Sequence, residues 1–340
     1  MSADASKISV IVVNWNGKGH LDGCFNSLSA QSYPNVEVIL VDNASTDGSV
    51  EFVRSKFPWV RIIENGKNLG FGSAVNKGIL EAKGFFILFL NNDLCLEKNC
   101  LEELALTLEK RGVGAVVPKI LFLDKPGFIN SYGVEVNFLG LAWPKHIDEP
   151  DRAGLKMEET PCGGIFMARK SDLEEVGAFD EDLFLYHEDH DLSWRFRLAG
   201  HKIIVNPNAR IYHKYHFNKN LDKFYHSEKN RIHLLLKNYE ARTLFLILPA
   251  AALVEVAEIY FALLSGWVFK KIRSYFEIAA EMAKIISKRR IIQARRKVSD
   301  REITKLFSGY LRIGGIRHVM LDSVLSPILN IYWNFIKGII

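Results

Sequence analysis

Between residues 7 and 117, short apolar runs alternate with longer stretches of mixed polarity. The runs are ISVIVVN, VEVILVD, VRIIE, FFILFL and GAVVP, and the segments between them are spaced as helices. Runs of this length, rich in Val, Ile and Phe, suit strands buried on both faces of a sheet, and intervening helices imply parallel strands joined by right-handed crossovers. The predicted fold class is α/β: a Rossmann-like, mixed but mostly parallel sheet flanked by helices. From 118 to about 160 the pattern weakens among Gly, Pro and aromatic residues, which predicts a covering insertion or a β-ribbon. Order returns at TPCGGIFMARKSDLEEVGAFDEDLF, at a helix in HEDHDLSWRFRLAG closed by Gly200, and at two short strands, HKIIVNP and ARIYH. Beyond residue 213 the pattern is helical, and no internal repeat is visible.

Parallel strands deliver their carboxyl ends to one edge, where open α/β sheets bind ligands. The residues just past the strands are Asn14, Trp15 and Asn16, then Asp42 and Asn43, then Asn68 to Gly72, then Asn91, Asn92 and Asp93. Amides and carboxylates crowd this edge, rather than Lys or Arg. Gly70 and Gly72 precede a helix, which lets backbone approach a ligand and aims a helix amino terminus at an anion. A tight strand-to-helix turn accounts for the same glycines, and a turn residue accounts for Asp42. A diphosphate beside a lone carboxylate needs a divalent cation between them, and Mg or Mn with oxygen ligands suits such a place. Asn91, Asn92 and Asp93 therefore read as a metal and phosphate station, with a polar turn as the competing account.

Glu188, Asp189 and Asp191 open the helix after residue 187. Negative charge at a helix amino terminus is favoured by roughly 0.3 to 1 kcal/mol per group, so capping competes as an explanation. Three carboxylates in four residues exceed what a cap requires. Their repulsion raises at least one pKa unless cations compensate, which is how a general base is often made, and Arg195 and Arg197 are placed to supply part of the compensation. His213 gains interest only from this company.

VIVVNWNG, VDNASTDGS, NLGFGSAVNKG, FLNND, CGGIFMARK and FDEDLFLYHEDHDLSWRFRLAGHKIIVNPNARIYH, in this order, resemble the family 2 glycosyltransferases of the GT-A fold, over about residues 7–235. The rhamnosyltransferase-like branch is the nearest in appearance. The resemblance implies a GT-A catalytic domain over 1–235, inverting transfer of a sugar from a nucleotide-diphosphate donor, and a hydroxyl of a glycan or polyprenol-linked acceptor. It assigns Asp42 to the nucleobase, with Asn14 and Asn16 lining the same pocket, and Asn68 and Gly70 to the ribose and diphosphate. The DxD motif falls on Asn91, Asn92 and Asp93, with Asp93 as ligand of a divalent metal (Mg or Mn) that His213 completes. Asn91 replaces the first Asp and contributes no charge, which lowers the expected metal affinity. The ED motif falls on Glu188 and Asp189, Asp189 being the base that accepts the hydroxyl proton as the oxygen attacks the anomeric carbon. Cys162, Gly163 and Gly164 would line the acceptor side.

Composition alters this picture mainly at the carboxyl end. The four cysteines lack CxxC spacing and no apolar signal follows the amino terminus, so a reduced, cytosolic catalytic part is expected rather than a secreted disulfide framework. The net charge of +5 is concentrated in residues 270–301, with eleven Lys or Arg against three Asp or Glu. Residues 244–269 are apolar enough for a span of roughly 20 residues, but carry Glu255 and Glu258 near the middle. A single crossing would set the basic stretch opposite the cytosolic domain, against the positive-inside tendency. Residues 236–340 are therefore expected to form a helical region lying in the plane of an anionic membrane surface, at its cytoplasmic face. A spanning helix and a soluble bundle are the competing accounts. Tyr332 and Trp333 of VLSPILNIYWNFIKGII predict a further interfacial contact. Nucleic acid is not the expected partner, because the basic residues alternate with Ile and Ala beside an apolar helix. Two other functions compete: a sugar nucleotidyltransferase, for which VNWNGKGHLDG lacks the basic Gly-rich loop, and a nucleotide-sugar binding protein without catalysis.

Overall fold

The apolar runs form strands because their Val, Ile, Leu and Phe side chains are covered on both sides of one sheet. The computed structural model describes residues 5–214, 221–311 and 321–340. Its strands are β1 (Ile8–Asn14), β2 (Val36–Asp42), β3 (Arg61–Glu64), β4 (Phe86–Asn91), β5 (Leu94–Leu96), β6 (Val113–Phe122), β7 (Ile129–Ser131), β8 (Val134–Val136), β9 (Ala142–Pro144), β10 (Glu158–Glu159), β11 (Met167–Arg169) and β12 (Lys202–His213). Its main helices are α1 (Lys18–Ser29), α2 (Ser49–Lys56), α3 (Phe71–Glu81), α4 (Cys100–Leu108), α5 (Lys170–Val176), α6 (Glu188–Leu198), α7 (Leu221–Asn238), α8 (Ala241–Leu264), α9 (Val268–Arg295), α10 (Asp300–Ile303) and α11 (Ser326–Lys337).

The chain divides into two units by its internal contacts: Met1–Gly133 with Pro144–Phe196 and His201–Phe217, and Val134–Trp143 with Arg197–Gly200 and Asn218–Ile340. In the first, the sheet order is β10-β12-β6-β11-β4-β1-β2-β3, with β5 on β12 and β7 on β6. Strands β1 to β4 are parallel to one another; β11 runs antiparallel between β4 and β6. This is the mixed, mostly parallel sheet that the sequence predicts. Register positions the site: Asn14 lies opposite Asp42, and Val13 opposite Asn91, so three strands end level. The two short strands expected after Gly200 are one strand, β12, whose pairing with β6 is interrupted between Asn206 and Arg210. Pro207 has no N–H to give to a ladder, and the irregularity passes over it.

The second unit is helical where it is described beyond residue 220. Glu255 and Glu258 of α8 meet cations from both neighbouring helices. Lys271 of α9 places Nζ 2.8 Å from Glu228 and 2.9 Å from Glu255, and also contacts Glu258. Arg231 of α7 pairs with Glu228 at 2.8 Å, with Glu255, and with Glu258 at 3.4 Å. The polar stripe of α8 is thus turned into its own bundle. Beside that stripe α8 carries exposed Phe245, Leu248, Val256 and Leu263, and exposed apolar residues also lie on α9 (Phe269, Ile272, Phe276) and α11 (Ile328, Ile331, Phe335). Each set follows helical spacing, so each forms a stripe. Trp333 does not join them, contrary to expectation: it is buried and stacked on Phe138 at 4.7 Å between ring centroids. Tyr332 donates its hydroxyl to the carbonyl of Leu246.

Removing one member of a buried ion cluster leaves the others uncompensated, at a cost of about 3 to 5 kcal/mol. Lys271→Met is expected to lower stability to urea by an amount in that range. A loss below about 1 kcal/mol would mean that water, rather than Lys271, balances the three glutamates.

Candidate functional site

The side chain of Asn14, fully buried at the end of β1, joins two neighbouring strand ends. Its Nδ2 donates to Asp42 Oδ1 at 2.7 Å, and its Oδ1 accepts from Asn92 Nδ2 at 2.6 Å. Asp42 is buried and also accepts from the Ser45 N–H at 2.8 Å and the Ser45 hydroxyl at 2.6 Å. Its carboxylate therefore forms the floor of the strand-end network. Asn16, at a φ of 50°, gives its N–H to Ser45 Oγ and accepts from the N–H of Thr46, both at 2.8 Å, while Trp15 beside it is exposed.

Asn43 ties in the loop after β3. Its Nδ2 donates to the carbonyl of Gly70 at 3.1 Å, and its Oδ1 accepts from Asn65 at 2.9 Å. Asn68 Oδ1 in turn accepts from the Gly70 N–H at 2.9 Å. Gly70 has a φ of 81°, in the region that favours glycine, and a Cβ there would stand 2.2 Å from the carbonyl oxygen of Phe184. The Asn68–Gly70 loop and the loop leading to α6 therefore pack backbone to backbone. Sequence reasoning placed Asn43 at the strand end but gave it no role; its position directly after Asp42 was the available signal.

Asp93 follows β4, and β5 then runs antiparallel to β12 with His213 opposite Leu94. This pairing brings His213 Nε2 to 3.3 Å from Asp93 Oδ2. Among the described residues Asp93 Oδ1 is buried without a hydrogen-bond partner. An orphaned carboxylate oxygen next to an imidazole nitrogen is a donor set that suits a divalent cation such as Mn or Mg. Asn91 is exposed at the end of β4 and the Asn92 amide is engaged by Asn14, so of these three residues Asp93 is the one that meets His213. Asn130, which sequence reasoning did not single out, lies with Oδ1 3.0 Å from His213 Nδ1.

The carboxylates of α6 divide into two groups. Asp191 is fully buried and accepts from Arg195 Nε at 2.8 Å, and Arg195 also donates to the carbonyl of Val176 at 2.7 Å. Arg195 thus compensates Asp191. Glu188 and Asp189 form no ion pair among the described residues, and the helix is entered through Tyr186 and His187, both at positive φ (67° and 65°). Burial pushes the Glu188 carboxyl up to about 8, with the Asp189 charge adding to it, and burial pushes Asp189 up to about 6. Burial and mutual repulsion thus oppose ionisation of both carboxyls together. Asp189 Oδ1 accepts from the His190 N–H at 2.8 Å, and a Cβ at Gly164 would stand 3.3 Å from Oδ2. Because β11 is antiparallel to β4 with Met167 opposite Leu88, Gly164 approaches the carboxyl end of β4. Gly163 gives its N–H to Ser193 Oγ at 3.2 Å, and Cys162 is buried, its thiol raised by that burial and by the Asp189 charge.

The family model for glycosyl transferase family 2 matches residues 9–177. The chain is 29% identical over 233 residues to N-acetylglucosaminyl-diphospho-decaprenol L-rhamnosyltransferase of Mycobacterium tuberculosis, covering 61% of this chain and 75% of that protein. Among solved structures, GalNAc-T7 with UDP, GalNAc and Mn2+ superposes with a TM-score of 0.59 at 17% identity, covering 83% of this chain and 58% of that one. A mannosyltransferase from Pyrobaculum calidifontis with GDP-Man and Mn2+ gives 0.52 at 16% identity, covering 86% of each chain. At these identities the structural likeness is one of fold, and that fold is GT-A. Together with the family match, it identifies the chain as a glycosyltransferase belonging to glycosyltransferase family 2.

Proposed function

We propose that the protein is an inverting glycosyltransferase that moves a sugar from a nucleotide-diphosphate donor to a hydroxyl of a glycan or polyprenol-linked acceptor, with Asp189 as base. The observation that carries this reading is the Glu188–Asp189 pair, two adjacent carboxylates that form no ion pair among the described residues, with Asp189 Oδ2 beside Gly164; burial raises both carboxyls. Glu188 is buried, and the less buried Asp189 is the member that an acceptor can approach. Asp189 accepts the proton as the hydroxyl oxygen attacks the anomeric carbon; the sugar–phosphate bond breaks in line, and the nucleoside diphosphate departs with the bonding pair. One displacement without a covalent intermediate inverts that centre.

The remaining residues bind and orient. The Asp42–Asn14–Asn92 network, with Asn16, forms the floor of the nucleoside pocket, and the Asn68–Gly70 loop borders the ribose and diphosphate. Asp93 and His213 would hold a divalent cation, Mg or Mn, whose charge would offset that of the diphosphate. Rhamnose is the sugar suggested by the mycobacterial relative, whose name also suggests the polyprenol-linked acceptor. For such an acceptor, the apolar stripes of α8, α9 and α11 would lie in a membrane surface at its cytoplasmic face. Arg273, Lys284, Lys288 and Arg295, spaced along α9 beside its apolar stripe, would rest on anionic headgroups.

Asp189→Asn is expected to lower turnover about 10²- to 10⁴-fold with donor affinity kept, measured over UDP-, GDP- and dTDP-sugars with Mn, Mg or chelator. Full turnover in that variant would remove Asp189 from the role of base, whereas donor binding without turnover by the wild type would favour a binding protein without catalysis. A base must be ionised to act, so the wild-type rate is expected to rise as pH climbs through about 6. A rate flat across that range would remove Asp189 from the role. The full chain is expected to bind phosphatidylglycerol vesicles and to release them at high salt, with Phe269→Glu and Phe276→Glu together weakening capture. Equal capture by that double variant would place the membrane contact elsewhere.

A further inference from the structure

We infer that Asn130 is a positioning residue: it fixes the tautomer of His213 so that the imidazole Nε2 lone pair points at the cation that Asp93 would share. The inference rests on the assignment of Asp93 and His213 to a metal. It begins in the sheet. β7 pairs antiparallel with β6, with Ile120 opposite Ser131 and Leu121 opposite Ile129, so the register passes over Asn130. An extra residue of this kind is a β-bulge, a device that re-aims a side chain beside a site. β12 lies on the other side of β6, with Phe122 opposite His213. From its bulge the Asn130 side chain, almost fully buried, reaches His213 with Oδ1 3.0 Å from Nδ1.

The chemistry follows from the types of atom. An amide oxygen can only accept, so Nδ1 must carry the proton. A neutral imidazole has one N–H, which leaves Nε2 with a lone pair, and this nitrogen stands 3.3 Å from Asp93 Oδ2. Asp93 and His213 would then together hold a divalent cation, and Asp93 Oδ1, buried without a hydrogen-bond partner among the described residues, fits that role. Were the amide turned over, Nδ2 would donate to Nδ1, and the proton would sit on Nε2 and pass to Asp93 as an ordinary hydrogen bond. That arrangement leaves no lone pair for a metal. The two orientations therefore predict opposite tautomers, and the tautomer can be read without any metal present.

The experiment uses the full-length, ¹⁵N-histidine-labelled protein, metal-free and at alkaline pH, with the His213 signals assigned by their absence from His213→Gln. The ring nitrogen shifts are expected to show Nδ1–H at His213 in the wild type and Nε2–H in Asn130→Ala. Asn130→Asp keeps an acceptor oxygen and is expected to restore Nδ1–H. Titration with Mn2+ alone, followed by the electron paramagnetic resonance of the free ion, is expected to give affinity about 10- to 100-fold weaker in Asn130→Ala than in the wild type. Nε2–H in the wild type overturns the inference whether or not the variants fold. So does unchanged Mn2+ affinity in a folded Asn130→Ala. Wild-type protein that binds Mn2+ no better than Asp93→Asn would overturn the metal assignment, and with it the positioning role, while the tautomer result would still report the Asn130–His213 hydrogen bond separately.

Discussion

The buried amide of Asn14 is the constraint on which the rest of the site depends. It donates to Asp42 on one side and accepts from Asn92 on the other, so the polar ends of three parallel strands are held in one hydrogen-bonded line. That line exists because β1, β2 and β4 end level in register. A slip of one residue would turn Asn14 to the other face of the sheet and leave buried polar groups unmatched. Asp42 is the clearest case, since a buried carboxylate is tolerable only when its oxygens are well supplied with donors. Ser45 provides two of them, one from backbone and one from its hydroxyl.

The parallel sheet was legible because each strand is a short, uninterrupted apolar run, and such a run has few alternatives in a chain of this length. The polar residues that end those strands were legible for the same reason. Asn130 was not, because nothing local distinguishes it: it acts from a bulge, across β6, on a residue 83 positions away. Arg195 was legible as a compensating cation but not in its target: it pairs with Asp191, and Glu188 and Asp189 form no ion pair among the described residues. The interruption in β12 escaped detection because Pro207 reads as a strand end, whereas a strand can pass over a proline at an irregular position.

In the helical unit, Glu255 and Glu258 are awkward in an apolar segment until Arg231 and Lys271 are placed beside them by α7 and α9. Sequence could give the spacing of the two glutamates but not the partners, which come from other helices. Trp333 illustrates the converse. An aromatic residue near an apolar terminus suggests a lipid interface, yet its ring is stacked on Phe138, a residue almost two hundred positions earlier that belongs to the same unit.

The contact between Gly70 and Phe184 carries a consequence of its own. The loop after β3 lies against the loop that delivers Glu188 and Asp189 so closely that a Cβ at Gly70 would meet both the carbonyl and the ring of Phe184. On the proposed mechanism these two loops govern different choices, one the donor and the other the acceptor. Backbone displacement in either is passed to the other. Donor preference and acceptor reactivity are then not independent traits of this enzyme, and substitutions that retune one would be expected to show epistasis with substitutions that retune the other.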